Sequence, residues 1–443
     1  MSMTKFTRLT IVSITIFAAL LWILEGHVVA EPDASPHAPE WTAEASRVLV
    51  SNSAHIAKSP ALAVSTDGSK IVVGYRRQVA SEFDNDLYYA VSTNNGVSWS
   101  AAQTIYQSPL TSGQQLALAF SGNTAHAVWI EDIALAYARE SQWASNTFTT
   151  ISNPAEVPGA SNPALVINGN TIDIVWSEGD ITSDPIPDIY HIRSIDGGVS
   201  WTAKQKVADT QARSRVPIIA LDPNNSNKLY VVWEELGTTG TIYFAQGTAS
   251  SGTDTTVTWS SSIEISGSEL DYRQPDITAS SSGLHVAFSN RIVDNEDEYN
   301  QVFYMSCANN CTQSTQWHMS PYNPISNQVV AVNGSDPFFI IPKIIKYGDC
   351  IFTYYHGIDT SLEPNELIWG TNSCDNWSAS EPEKLTSPNL NRSVNPVIAT
   401  GAGDWIFMAY NRIEDSQRRI YFASSQDAPE GFKGVFMPII RRK

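Results

Sequence analysis

At 443 residues, with 42% apolar and only 16% charged residues, the chain can bury a large core, which excludes intrinsic disorder. Its 45 acidic against 27 basic residues give a net charge of -18, a field that repels phosphate backbones. Nucleic acid and anionic membrane surfaces are thereby excluded as expected partners.

The first residues read as an export signal over 1–30. Lys5 and Arg8 form a positive start, Leu9 to Leu24 is an apolar run, and Val28-Val29-Ala30 offers a small-residue cleavage site before Glu31. The run is short for a membrane span, with an uncleaved anchor as the alternative. No second apolar run follows, so no span is expected after signal removal. The folded part is expected outside the cytoplasmic membrane, secreted or held in the cell envelope. Residues 31–40 carry three Pro and no strand pattern, and read as a linker.

From residue 41 to about 430 one pattern recurs. An apolar run begins near a Pro, passes a Gly-, Asn- or Asp-rich turn, and is answered by a run ending in an aromatic and a polar residue. In chain order the copies are PALAVSTDGSKIVVGYR from Pro60, QLALAFSGNTAHAVWIE from Gln115 (lacking the Pro), and PALVINGNTIDIVWSE from Pro163. Then come PIIALDPNNSNKLYVVWEE from Pro217, PDITASSSGLHVAFSNR from Pro275, PKIIKYGDCIFTYYH from Pro342 and PVIATGAGDWIFMAYNR from Pro396. A third run follows each pair: LYYAVS, IALAYAR, IYHIRS, IYFAQG, VFYMSC, LIWGTN and IYFASS. A fourth strand is expected to open at Trp41, Trp99, Trp143, Trp201, Trp259, Trp317 and Trp377, spaced 58, 44, 58, 58, 58 and 60 residues apart. Four short strands in a unit of that length predict a propeller blade. The expected fold is all-β: a seven-bladed β-propeller of four-stranded antiparallel blades.

The first Trp-led element, WTAEASRVLV from Trp41, precedes every other strand and resembles WTAKQKVADT from Trp201, while the last unit lacks such an element. The N-terminal strand is therefore expected to complete the last blade and close the ring. Phe432 to Ile440 is the alternative source of that strand, and a pair of β-sandwiches is the alternative fold.

The turns before the Trp residues carry a motif. Ser194-Ile195-Asp196-Gly197-Gly198-Val199-Ser200-Trp201 matches S-x-D-x-G-x-x-W in full, and Ser92-Thr93-Asn94-Asn95-Gly96-Val97-Ser98-Trp99 matches with Asn for Asp. Near Trp259 only Asp254 survives. The repeat resembles the BNR/Asp-box repeat of the sialidase superfamily over about 400 residues. Physically the motif is a hairpin device: the short Asp or Asn side chain bonds turn amides, Gly supplies positive φ, and Trp wedges between sheets. Asp196 is accordingly read as structural. The resemblance implies that these turns face away from a binding site.

On the other face the repeat repeats charge. Two residues before the Pro stand Lys58, Ser161, Arg215, Arg273, Ile340 and Val394, with Arg392 just upstream of the last. After the aromatic stand Arg76 and Arg77, Glu131, Glu178, Glu234 and Glu235, Arg291, His356 and Arg412. These are expected to ring the central funnel. As strand caps and rim ion pairs they would contribute about 0 to 1 kcal/mol each. As a binding site, Arg76, Glu131, Arg215, Arg273, Arg291 and Arg412 would hold a ligand, with Arg215, Arg273 and Arg291 clamping an anionic group and Glu178 or Glu234 offering acid/base chemistry.

The sialidase resemblance implies three Arg on a substrate carboxylate, an Asp acid/base and a Tyr–Glu nucleophile. The chain departs from that pattern. The Arg-Ile-Pro motif of the first blade is Lys58-Ser59-Pro60, its nearest match is Arg215-Val216-Pro217 in the fourth, and the family's enzymes have six blades where seven are counted. No residue takes the Asp or Tyr role. A glycan-binding recognition module is the first expectation, with Trp129, Trp176 and Trp233 as aromatic faces beside acidic residues. An exo-acting glycoside hydrolase and a structural surface protein are the alternatives, and a glycan or an extracellular protein is the expected partner.

No cofactor is expected, calcium at Asp294-Asn295-Glu296-Asp297-Glu298 or Asp84-Asn85-Asp86 being the alternative to solvated acidic loops. Export permits disulfides, and no His stands at ligand spacing to the four Cys. The repeat register puts Cys350 beside Cys374, and Cys307 and Cys311 flank the equivalent turn one repeat earlier. Residues 431–443 leave the repeat as an apolar stretch around Pro438 followed by Arg441-Arg442-Lys443. They read as a sorting or retention tail, or as one further strand.

Overall fold

A computed structural model describes residues 40–426, apart from 44–45, 53, 79–84, 109–112, 152–158, 180–185, 211, 252–253, 295–296, 322, 327–328, 331–339, 360–364, 375–381, 387–391, 403–404 and 415–416. The export signal, the linker up to Pro39, the tail, Trp377, Asp84, Asn295 and Glu296 lie outside the described residues.

Seven antiparallel sheets form, six of them with strands A to D in chain order. Blade 1 comprises Ala57–Val64, Ile71–Gln78, Asn85–Ser92 and Gln103–Tyr106; blade 2 comprises Gly113–Ser121, Thr124–Glu131, Ala134–Arg139 and Thr149–Thr150. Blade 3 comprises Ala160–Asn168, Thr171–Glu178, Asp188–Ser194 and Gln205–Ala208. In blade 4, Arg213–Asp222, Asn225–Leu236 and Gly240–Ala249 are edged by Val257–Trp259 and Ile263–Glu264. In blade 5, Asp271–Ser280, Gly283–Asp294 and Asp297–Cys307 are edged by His318–Met319 and Val329–Val330. Blade 6 is Lys343–Tyr347, Cys350–Asp359, Asn365–Asn372 and Glu383–Lys384. Blade 7 is Arg392–Gly401, Trp405–Glu414 and Gln417–Gln426, and its outer edge comes from the chain start: Glu40–Trp41 pairs Gln426 and Ser425, and Val48–Leu49 pairs Phe422 and Tyr421. The ring closes as the repeat order predicts.

The core is divided. Seven apolar clusters form, each drawing on two neighbouring blades. The repeat Trp residues knit them across the interfaces. Trp143 packs edge-on against Tyr89 of blade 1 at 4.7 Å, Trp201 against Tyr137 of blade 2 at 4.9 Å, and Trp99 against Phe422 of blade 7 at 4.9 Å. Trp259 meets His191 and Trp317 meets Phe244 in the same way. For Trp99, Trp143 and Trp201 the structure corrects the expectation that the Trp residues open the D strands. Trp99 and Trp201 stand in turns ahead of their strands, and Trp143 ends a four-residue helix, Glu140–Trp143. Trp41 and Trp259 instead sit in outer-strand ladders and reach the preceding sheet from there, at Tyr354 and His191. The 44-residue spacing in blade 2 follows in part from a B–C connection of only Asp132 and Ile133, and in part from shorter segments on either side.

The turn before Trp201 is built as the motif requires. Asp196 Oδ1 accepts the Val199 and Ser200 amides at 3.0 and 2.9 Å, and Ser194 Oγ accepts the Gly198 amide at 2.9 Å. Asn94 and Ser92 repeat this in blade 1, taking the Ser98 and Gly96 amides. Both cysteine pairs are disulfides, Cys350–Cys374 and Cys307–Cys311.

A cavity of about 400 Å³ lies where the seven A strands meet, lined by residues such as Pro60, Leu116, Pro163, Ile218, Ile277, Ile344 and Val397. Its lining side chains are apolar except for Asp276 and Lys343, 3.8 Å apart. The expected lining of Arg and Glu is absent from it among the described residues. A ring of formal charges facing so narrow a space would be desolvated without enough partners.

Candidate ligand-binding rim

Strand B of each blade carries an aromatic near its end: Tyr75, Trp129, Trp176, Trp233, Phe288, Tyr355 and Tyr410, all buried. The next two residues fall on opposite sheet faces, because side chains alternate along a strand. They are therefore two sets with different surroundings, not the single set expected from the sequence.

The second position shares the aromatic's face. It holds Glu131, Glu178 and Glu235 in blades 2 to 4, where the sequence is Trp-x-Glu three times. Each indole N–H donates to its glutamate: Trp129 to Glu131 at 3.3 Å, Trp176 to Glu178 at 2.5 Å, Trp233 to Glu235 at 2.8 Å. The remaining carboxylate capacity is taken up nearby. Ser108 donates to Glu131, Lys204 pairs with Glu178 at 2.5 Å, and Thr210 and Ser214 donate to Glu235. Glu178 is 2% exposed, and Trp129, Trp176 and Trp233 are fully buried. Glu131 is thus a buried acceptor rather than a ligand contact, Glu178 is no free acid/base, and the three Trp are inter-blade wedges rather than sugar platforms. In each case an indole N–H closed off from water needs its acceptor more than the rim needs a charge.

The first position holds Arg76, Ile130, Ser177, Glu234, Ser289, His356 and Asn411. Some of these tie blade to blade. Six A strands place a non-glycine residue in the left-handed region just before the Pro or its equivalent: Ser59, Gln115, Asn162, Val216, Gln274 and Asn395, with φ between 51° and 55°. Such a conformation is costly before proline, and the neighbouring blade compensates. Glu234 Oε2 accepts the Gln274 amide at 2.9 Å, Asn411 Oδ1 that of Ser59 at 3.1 Å, and Gln115 Oε1 that of Asn162 at 2.6 Å.

Two groups of arginines result. Between blades 4 and 5, Arg273 donates to Asp271 at 2.7 Å, Arg291 stands 3.8 Å from the other Asp271 oxygen, and Arg215 stands 3.8 Å from Glu234. The structure brings the three predicted arginines together around Asp271 and Glu234. Burial raises the proton affinity of Glu234, opposed by the Gln274 amide and by Arg215 and Arg273. Glu178 belongs to a different blade and takes no part.

Between blades 7 and 1 the balance differs. Arg412 is paired with Glu414 at 3.1 Å and lies over the Tyr421 ring, and Arg419 also pairs with Glu414. Arg77 stacks on Tyr88 at 3.8 Å. Arg76, half-buried, has no acceptor at Nε among the described residues, and its proton affinity is lowered by burial and by Arg418 beside it. Sequence reasoning missed Arg418 because it lies on strand C, outside the repeated positions.

No family model and no curated protein matches the chain. Among solved structures, a Trypanosoma rangeli sialidase is similar at 8% identity and TM-score 0.45, over 87% of this chain and 58% of that one. A Penicillium chrysogenum α-L-arabinanase is similar at 11% identity and TM-score 0.46, over 87% and 98%. An α-L-arabinofuranosidase from Fusarium graminearum is similar at 12% identity and TM-score 0.46, over 86% and 97%. The fold, read from the strands themselves, is a seven-bladed β-propeller. These likenesses concern fold and carry nothing about chemistry.

Proposed function

We propose that the protein is an exported recognition module that binds carboxylate-bearing glycans on the rim of blades 7 and 1. One observation carries the reading: Arg76 is partly desolvated beside Arg418, and its Nε has no acceptor among the described residues. Two neighbouring guanidinium groups repel each other, and an anion seated between them removes the repulsion. A planar carboxylate matches the guanidinium fork. The Asp-box resemblance of residues 92–99 and 194–201 supports a sugar as its bearer. Export is supported by the residue 1–30 pattern and by the two disulfides.

The test is a glycan array carrying sialylated, uronic-acid and neutral oligosaccharides. Wild-type protein is expected to favour the carboxylated glycans, and Arg76→Ala to weaken them at least about tenfold, the scale of one lost charge-assisted contact. Equal binding of neutral and carboxylated glycans, or an unaffected Arg76→Ala, refutes the reading.

Glu234 favours a second reading, an exo-acting glycoside hydrolase. It is a buried carboxyl of raised proton affinity among Arg215 and Arg273, the setting of a general acid. Turnover of any chromogenic glycoside that disappears in Glu234→Gln would establish this second role. A scaffold role remains if both binding and turnover are absent.

A further inference from the structure

The opposite face, where A–B and C–D turns cluster, carries a cleft of about 410 Å³ between blades 4 and 5. That volume falls within the range of small-molecule sites. Its floor includes Tyr230 and Gln246, which are register partners on strands B and C of blade 4. Its walls include Ser281 at the A–B turn of blade 5 and Asn309 in the loop closed by the Cys307–Cys311 disulfide.

The chemistry of the lining selects a ligand class. Asp222 and Lys228 are the charged residues there, one of each sign. Asp222 is already consumed: Oδ1 accepts the Asn224 and Asn225 amides at 2.8 and 3.0 Å, and Oδ2 accepts the Tyr230 hydroxyl at 2.6 Å. These bonds hold its carboxyl below the usual range despite burial. A cation therefore finds no open carboxylate, and an anion finds one lysine offset by an aspartate. Amides and hydroxyls remain, each able to donate and accept. That mixture suits a hydroxyl-rich, uncharged ligand.

The lip is also held in place. The disulfide spans a Cα–Cα distance of 5.8 Å, with Asn310 left-handed inside its loop. On the facing side Ser280 Oγ lies 3.0 Å from His285 Nε2, whose ring is fixed by Tyr304 at 2.7 Å. Fixed lips lower the entropy lost on binding.

We propose that this cleft is a second binding site, for a stretch of neutral oligosaccharide, on the face away from the arginine rim. It is independent of the rim reading. The experiment is calorimetric titration of the full chain with cellohexaose, xylohexaose and maltohexaose, with sialyllactose as a charged comparison. At least one hexaose is expected to bind, about tenfold weaker in Gln246→Ala and in Asn309→Ala, and to be blocked by Ser281→Trp, which fills the cleft from an exposed position. Circular dichroism checks that each variant is folded, and Arg76→Ala is expected to leave hexaose binding unchanged. Absence of binding by all three hexaoses overturns the proposal, as does hexaose binding that survives Ser281→Trp or disappears in Arg76→Ala.

Discussion

Gly197 and Gly198 are adjacent, both left-handed at φ +71° and +84°, and they differ in what a methyl group would meet. At Gly197 it would meet open space. At Gly198 it would stand 2.0 Å from Tyr137 Oη and 2.4 Å from Cζ, on the preceding blade. Gly197→Ala should therefore cost only the left-handed strain, about 1 to 2 kcal/mol. Gly198→Ala carries the same strain and must also displace a ring held on several sides. Tyr137 donates to the Gly197 carbonyl at 3.2 Å, lies 2.7 Å from His126 Nδ1, and packs edge-on against Trp201. Overpacking adds about 1 to 3 kcal/mol, and a lost buried hydrogen bond a comparable amount. A gap of about 2 to 4 kcal/mol between the two variants is expected, read from urea unfolding followed by Trp fluorescence at neutral pH. In a Tyr137→Ala background the gap should close. Two variants within about 0.5 kcal/mol of each other, the usual spread for uncoupled changes, would refute the inter-blade contact as the cause.

Acid should weaken the fold through its buried imidazoles. Burial lowers His126, His285 and His356 from 6.5 to about 4, so each stays neutral in the folded chain while the unfolded chain takes up a proton. Stability therefore falls as pH drops from about 7 to 4, by on the order of 3 kcal/mol per histidine. Glu131 and Glu234, whose affinities are raised, act with the opposite sign above 4.5, so the measurement is the difference in urea midpoint slope between wild type and His126→Asn. An identical pH slope would contradict it. Separately, Glu235→Leu strands the buried Trp233 indole N–H, at about 1 to 3 kcal/mol, while the Thr210 and Ser214 hydroxyls keep each other and the Ala212 carbonyl. Glu235→Gln keeps an acceptor and should be markedly milder. Equal losses in the two would mean that the indole bond carries little.

What the sequence showed and what it hid have separate physical causes. Blade number, ring closure and disulfide pairing were legible because repeats of apolar runs and Trp spacing report on packing that recurs. The Trp-x-Glu bond was legible too: three copies at a spacing of two place both side chains on one face, and grouping Glu234 with Glu235 obscured it. The left-handed residues before proline were not, since X-Pro ordinarily favours extended backbone and only a neighbouring blade's side chain makes the exception stable. Arg418 and the polar cleft were hidden for a related reason. Each depends on residues from two blades, such as Arg76 with Arg418, that no single repeat unit contains.

Closure of the ring by Glu40–Trp41 and Val48–Leu49 on the final C strand has a consequence for how the molecule comes into being. The earliest-made strands find their partners only when the last repeat has been synthesised. Until then the seventh cluster, which joins Val73 and Tyr75 to Phe407 and Phe422, stays open to water. Blades 1 to 6 can assemble locally as they emerge, while the final seam waits on a search across almost the whole chain. The sealing of the circle is thereby the last step of assembly, and it sets when the whole ring becomes cooperative.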